Sequence, residues 1–171
     1  MTRTFILLGF IGFLISGCTS ITVEPLADSY NVRHICIREN PKVMVQDLVP
    51  VITDGLTRHH IESEFIASTL DKDKVRRESS ESDEYYMSIT PVPDDCEFNL
   101  TYTARRSWDL GTYLSSADIA VSDKEGVIAK ANYHLINKGG LSLFKWQGVK
   151  TKLDPVMNEL LQHYGGEQSQ Q

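Results

Sequence analysis

The stretch from Phe98 to Leu135 constrains the fold more than any other part of the chain. Phe98, Leu100, Tyr102 and Ala104 alternate with Asn99, Thr101, Thr103 and Arg105. Successive side chains of a strand point to opposite faces, so this pattern predicts a strand with one buried and one wet face. Trp108-Asp109-Leu110-Gly111 interrupts it. A second strand follows, with Tyr113, Ala117, Ile119 and Val121 on its apolar side, and Asp123-Lys124-Glu125-Gly126 makes a tight turn. The return strand sets Val127, Ala129, Ala131, Tyr133 and Leu135 inward, opposite Ile128, Lys130, Asn132 and His134. The three strands form an antiparallel meander whose apolar face needs a cover.

Two helices are predicted to supply that cover. Leu48, Ile52 and Leu56 recur four apart within Asp47–His59, with Asp47 as the expected N-cap and Pro50 in the first turn. Arg58, His59 and His60 close this helix, where positive charge meets the negative end of its dipole. Leu153, Val156, Met157, Leu160 and Leu161 make an apolar stripe in a last helix over about Lys150 to Tyr164, which Asp154-Pro155 is expected to start. Short strands at Val32–Arg38 and Ile61–Ser68 flank the first helix, giving a β-α-β unit. In the first of them Ile35 and Ile37 share one face, and His34 and Cys36 the other. The predicted fold is α+β: a two-layer sandwich with a β-α-β opening, an antiparallel meander and a C-terminal helix packed on one face of a mixed sheet. Residues 71–84, rich in both charges, read as an exposed loop or frayed helix, and Tyr85–Thr90 as a short strand.

The N-terminus follows a different pattern. Residues 1–4 carry one charge, Arg3, and Phe5 to Ile15 is an unbroken apolar run with glycines. As a helix this run spans roughly 16 Å, about half of a bilayer core. It is too short to cross and suits the apolar region of a signal peptide. Ile15-Ser16-Gly17-Cys18 then resembles the lipobox of bacterial lipoproteins. That resemblance implies cleavage before Cys18, a diacylglyceryl thioether on its sulfur and an acyl chain on its new amine. Several chains together hold far more firmly than one. Thr19 follows where lipoproteins kept in the inner membrane often carry Asp, so the resemblance points to the outer membrane, facing the periplasm; the inner membrane and cell surface are the alternatives. The expected organisation is a signal peptide over 1–17, a lipidated tether over 18–30, one periplasmic domain over 31–164 and a disordered tail over 165–171. Pro25 and its polar neighbours argue against a regular element in the tether, which could reach some tens of ångström when extended.

Charge narrows the partners. The chain holds 17 basic and 23 acidic residues, and residues 1–17 contribute only Arg3 to that balance. The mature part is therefore acidic, with no basic footprint for nucleic acid and no polybasic face for anionic lipid. Beyond Cys18 there remain Cys36 and Cys96, 60 residues apart. In an oxidising compartment they are expected to pair, the alternative being two buried free thiols.

Few residues suggest catalysis. His59-His60 with Glu62 and Glu64 matches no zinc spacing and reads as solvated helix-end histidines. Asp94-Asp95 beside Cys96 reads as a turn, there is no Gly-x-Ser-x-Gly elbow, and Gly139-Gly140 is too little for a phosphate loop. No catalytic residue, metal site or cofactor is expected beyond the lipid on Cys18. Arg105, Arg106 and Trp108, at the end of the best strand, are the candidate binding surface, because arginine and tryptophan dominate binding hot spots. The structural alternative has Trp108 packed on the sheet edge and Asp109 paired with an arginine. Trp146 is expected in the core under the last helix.

The mature region also resembles an uncharacterised family of Gram-negative lipoproteins. The likeness rests on Ile35-Cys36-Ile37 with Asn40-Pro41, on Cys96 and the Tyr102-Thr103-Ala104 strand, on Ser107-Trp108-Asp109 and on Gly139-Gly140. It covers about residues 30–163 and implies a small periplasmic α+β domain without an assigned activity. The expected function is a non-enzymatic binding or assembly module for an envelope protein or cell-wall polymer. A binder of a small hydrophobic or lipid ligand is the alternative, and an envelope enzyme ranks behind both.

Overall fold

The computed structural model describes residues 19–68, 93–136 and 143–165. The signal peptide expected over residues 1–17, Cys18, the stretch 71–84, the strand expected at Tyr85–Thr90, Gly139-Gly140 and nearly all of the expected tail lie outside these residues. The elements run in the order β1 (Thr19–Glu24), β2 (His34–Arg38), α1 (Leu48–Arg58), β3 (Glu62–Ile66), β4 (Asn99–Trp108), β5 (Thr112–Ser122), β6 (Val127–Leu135) and α2 (Val149–Leu160). They form one mixed sheet of order β1-β6-β5-β4-β2-β3. β2 runs parallel to both β3 and β4, and every other pairing is antiparallel. The fold is the α+β sandwich that the patterns predict.

Burial explains the layers. Ile35, Ile37 and Leu100 from the sheet, Leu48, Ile52 and Leu56 from α1, and Leu153, Met157 and Leu160 from α2 share one core. Cys36, on the other face of β2, is also buried. The helices meet at Gly55, where an added Cβ would lie 3.0 Å from the Met157 Cβ. Cys36 and Cys96 form a disulfide with Cα atoms 6.0 Å apart, within the span a bridge requires. Beside it the Cys36 N–H donates to the Phe98 carbonyl at 3.0 Å, so bond and ladder together set the entry to β4.

The clearest departure is at residues 19–30. Thr19–Glu24 is not a tether but edge strand β1, paired with β6 from Thr19↔Leu135 to Glu24↔Lys130. Ile21, Thr22 and Val23 are β-branched and suit a strand, and β1 covers hydrogen-bonding groups that β6 would otherwise leave open at the edge. Pro25 ends this strand rather than preventing it. Leu26 is fully buried, and its N–H donates to the Leu160 carbonyl at 2.8 Å. The Tyr164 hydroxyl donates to the Ala27 carbonyl at 2.8 Å.

Smaller differences have local causes. Val127, expected inward, is exposed because the β5–β6 register shifts at Val121/Ser122 and resets the alternation. Asp47 precedes α1 but its side chain makes no cap hydrogen bond. α2 starts at Val149, well before Asp154-Pro155, and encloses Pro155. Burial of Val149 and Lys152 holds that extra turn in place.

Candidate functional site

β4 and β5 run beyond the other strands as a hairpin. Arg105 pairs with Ser116 and Arg106 with Leu114, which leaves Ser115 as a bulge. Its hydroxyl donates to the Arg105 carbonyl at 3.0 Å and is buried in doing so. A bulge bends a strand and re-aims its side chains, and here both arginines are exposed. β4 then continues through Trp108, where the sequence suggested a break, and Trp108 is 74% exposed. At the tip the Asp109 N–H donates to the Gly111 carbonyl at 3.0 Å. Leu110 is 76% exposed and sits in the left-handed region, φ 54°, which is uncommon for a residue with a bulky side chain.

The tip is braced from below. Lys145 is fully buried and its ammonium donates to the Asp109 carboxylate, 5.0 Å from the centroid of the Tyr113 ring. The Trp146 indole N–H donates to the Asp109 carbonyl at 3.1 Å. Asp109 is thus held by Lys145, not by an arginine, and Trp146 is a half-buried brace instead of a core residue. Behind them the Lys152 ammonium donates to the carbonyls of Leu114 at 3.0 Å and Lys145 at 2.7 Å. Burial pushes the Lys152 amine down to about 8.

The sheet's second face carries no helix among the described residues. Rows of polar side chains cross it in register: Thr103↔Asp118↔Asn132↔Thr22, and Arg105↔Ser116↔His134↔Ser20. The Asp118 carboxylate accepts from the Thr103 hydroxyl at 3.0 Å and from the Asn132 amide. A shallow hollow of about 620 Å³ lies over Arg105, Arg106, Ser116 and His134. A second, of about 420 Å³, lies over Thr22, Thr101, Ala120 and Lys130. The far end of the strands is acidic, where Asp94, Asp95 and Glu97 approach Asp123 and Glu125.

Of the residues singled out in the sequence, Arg105, Arg106 and Trp108 come together at the hairpin end, and Cys36 and Cys96 are bridged. Asp94 and Asp95 form the expected turn, closed by the Cys96 N–H donating to the Pro93 carbonyl at 3.1 Å. His59 is less free than a solvated helix-end histidine. Its Nδ1 lies 2.7 Å from the Tyr164 carbonyl and its Nε2 3.2 Å from Asn158 Oδ1, so it joins α1 to the end of α2. No group of three metal-ligating side chains occurs among the described residues. The sequence reading missed the two buried lysines and the left-handed Leu110. Lys145 between Phe144 and Trp146 was their one visible trace. Comparison of the chain with protein-family models, curated proteins and solved structures gives no match.

Proposed function

We propose that this chain is a non-enzymatic lipoprotein of the bacterial outer membrane, anchored through acyl chains on Cys18 and facing the periplasm. On this reading its domain binds an envelope protein or a cell-wall polymer on the open sheet face beside Arg105 and Arg106. The anchor is supported by the apolar run ending in Ile15-Ser16-Gly17-Cys18. The binding surface rests on one observation: exposed Arg105 stands in a hydrogen-bonding row on a sheet face that no described helix covers, and exposed Arg106 lines the hollow beside it. Guanidinium groups pair with carboxylates in a bidentate fashion, and hydroxyl and amide rows suit polar polymers or a peptide backbone.

Crosslinking in intact cells and co-sedimentation with purified cell-wall sacculi test the surface. Arg105→Glu with Arg106→Glu should weaken capture about tenfold or more, the loss expected from charge-assisted hydrogen bonds. Retention of every wild-type partner would overturn the surface. For the anchor, Cys18→Ser should abolish acylation and release the protein from membranes or leave it unprocessed; wild-type fractionation would overturn it. The hollow of about 420 Å³ keeps a small-ligand reading in view, since ligand sites start at roughly 300 Å³. It lies on the open face and not between sheet and helices.

A further inference from the structure

We propose that the β4–β5 tip, Trp108 with Leu110, is a second membrane contact that seats in the headgroup region of the bilayer holding Cys18. The proposal rests on lipid attachment at Cys18. Strand β1 begins at Thr19, the next residue, so no slack separates such an anchor from the sheet. Thr19 pairs with Leu135, and the row beside it, Arg105↔Ser116↔His134↔Ser20, places Arg106 level with Thr19. Trp108 lies two residues further along β4. At about 3.4 Å per residue it projects roughly 7 Å past that level. The lateral distance from β1 to β4 is three strand spacings, about 14 Å. Thr19, the residue next to the anchor, therefore lies at the same end of the sheet as the tip, and the tip reaches past it.

The chemistry of that end fits a bilayer surface. Trp108, Leu110 and Ile136 are 74%, 76% and 56% exposed, and Ile136 directly follows the residue paired with Thr19. Tryptophan favours the membrane–water interface, where its ring is apolar and its N–H finds a partner. Arg105 and Arg106 stand just behind the tip. The cluster of Asp94, Asp95, Glu97, Asp123 and Glu125 lies at the opposite end of the strands, away from the anionic surface. Lys145, Trp146 and Lys152 fix the hairpin from behind, so it is presented as a rigid wedge. Leucine, and not glycine or asparagine, occupies the left-handed position at its tip. Its side chain is held there at a cost in backbone energy while standing 76% exposed.

The test uses full-length protein purified from membranes and reconstituted into phosphatidylethanolamine–phosphatidylglycerol vesicles, with and without brominated acyl chains. The Trp108 signal is read as wild type minus Trp108→Phe, with Trp146 common to both. We expect a blue-shifted Trp108 emission, quenched by brominated lipid and shielded from aqueous iodide. Leu110→Asn, at ease in the left-handed backbone, should keep the fold and lose both the shift and the quenching. If the protein floats with vesicles and carries acyl mass on its Cys18 peptide while Trp108 stays open to iodide, the anchor stands and this proposal fails. If that acyl mass is absent, both fail. Shielding in native envelope fragments but not in protein-free vesicles assigns the tip to a protein partner and overturns the membrane contact.

Discussion

Lys152 shows how far one side chain can depart from its behaviour in water. It is 6% exposed, has two carbonyl acceptors and lies 5.7 Å from the Tyr113 ring centroid. Burial disfavours its charged form and lowers the amine from the usual 10.5 to about 8. The sign of the linkage follows. Between those values the unfolded chain holds a proton that the folded chain has released, so this group makes stability rise with pH. Below about 8 both states are protonated and the full penalty applies. Urea unfolding at about pH 9.5 against about pH 7 should show a gain of roughly 2 kcal/mol from Lys152. Lys152→Met should lack that rise, and an unchanged slope in the variant would assign it elsewhere. Tyr102, Tyr133 and Tyr164, whose phenols burial pushes up, act oppositely at higher pH. None of this was legible beforehand: Lys152 stands in an ordinary polar position of an amphipathic pattern, and only the approach of the hairpin buries it.

At the scale of elements, the two helices approach closely at Gly55. Alanine there would gain about 1 kcal/mol of helix propensity. Its Cβ would nevertheless meet the Met157 Cβ, Cγ and Cε within 3.0–3.1 Å, and the first of these cannot move without its helix. Overpacking of this kind costs about 1–3 kcal/mol. Gly55→Ala should therefore destabilise the fold by up to about 2 kcal/mol net and lower the urea midpoint; a raised midpoint would show slack between α1 and α2. Element type was readable where the apolar period was long, as in β4, β6 and both helices. Phase was misread at Val127, beyond the irregular step at Val121/Ser122, because one extra residue turns the side chain on its far side to the other face. β1 was missed for another reason. Its pattern is short, and an edge strand is stabilised by a partner more than 100 positions away along the chain.

At the scale of the molecule, the disulfide closes the span between β2 and β4. Cross-linking positions 60 residues apart removes unfolded-state entropy worth roughly 4 kcal/mol in the chain-entropy model. Cys36→Ser with Cys96→Ser should lose stability of that order in urea unfolding, and the oxidised protein should lose a similar amount on reduction. A loss under about 1 kcal/mol would place the bridge outside the terms that hold the fold. The sequence by itself determined the types of the elements from β2 onward, the layering, the acidic balance and the candidate cysteines. These follow from periodicity, composition and spacing, which are local properties. Only the tertiary structure decided that Cys36 meets Cys96, that residues 19–24 close the sheet edge instead of tethering it, and that Asp109 takes Lys145 as its partner. Each joins residues far apart in the chain, and their proximity depends on strand order and helix placement. The Trp108 cluster lies between the two cases. Its composition was visible as a motif, but its exposure, its bracing and its position at the Thr19 end of the sheet came from the packing of β4, β5 and α2.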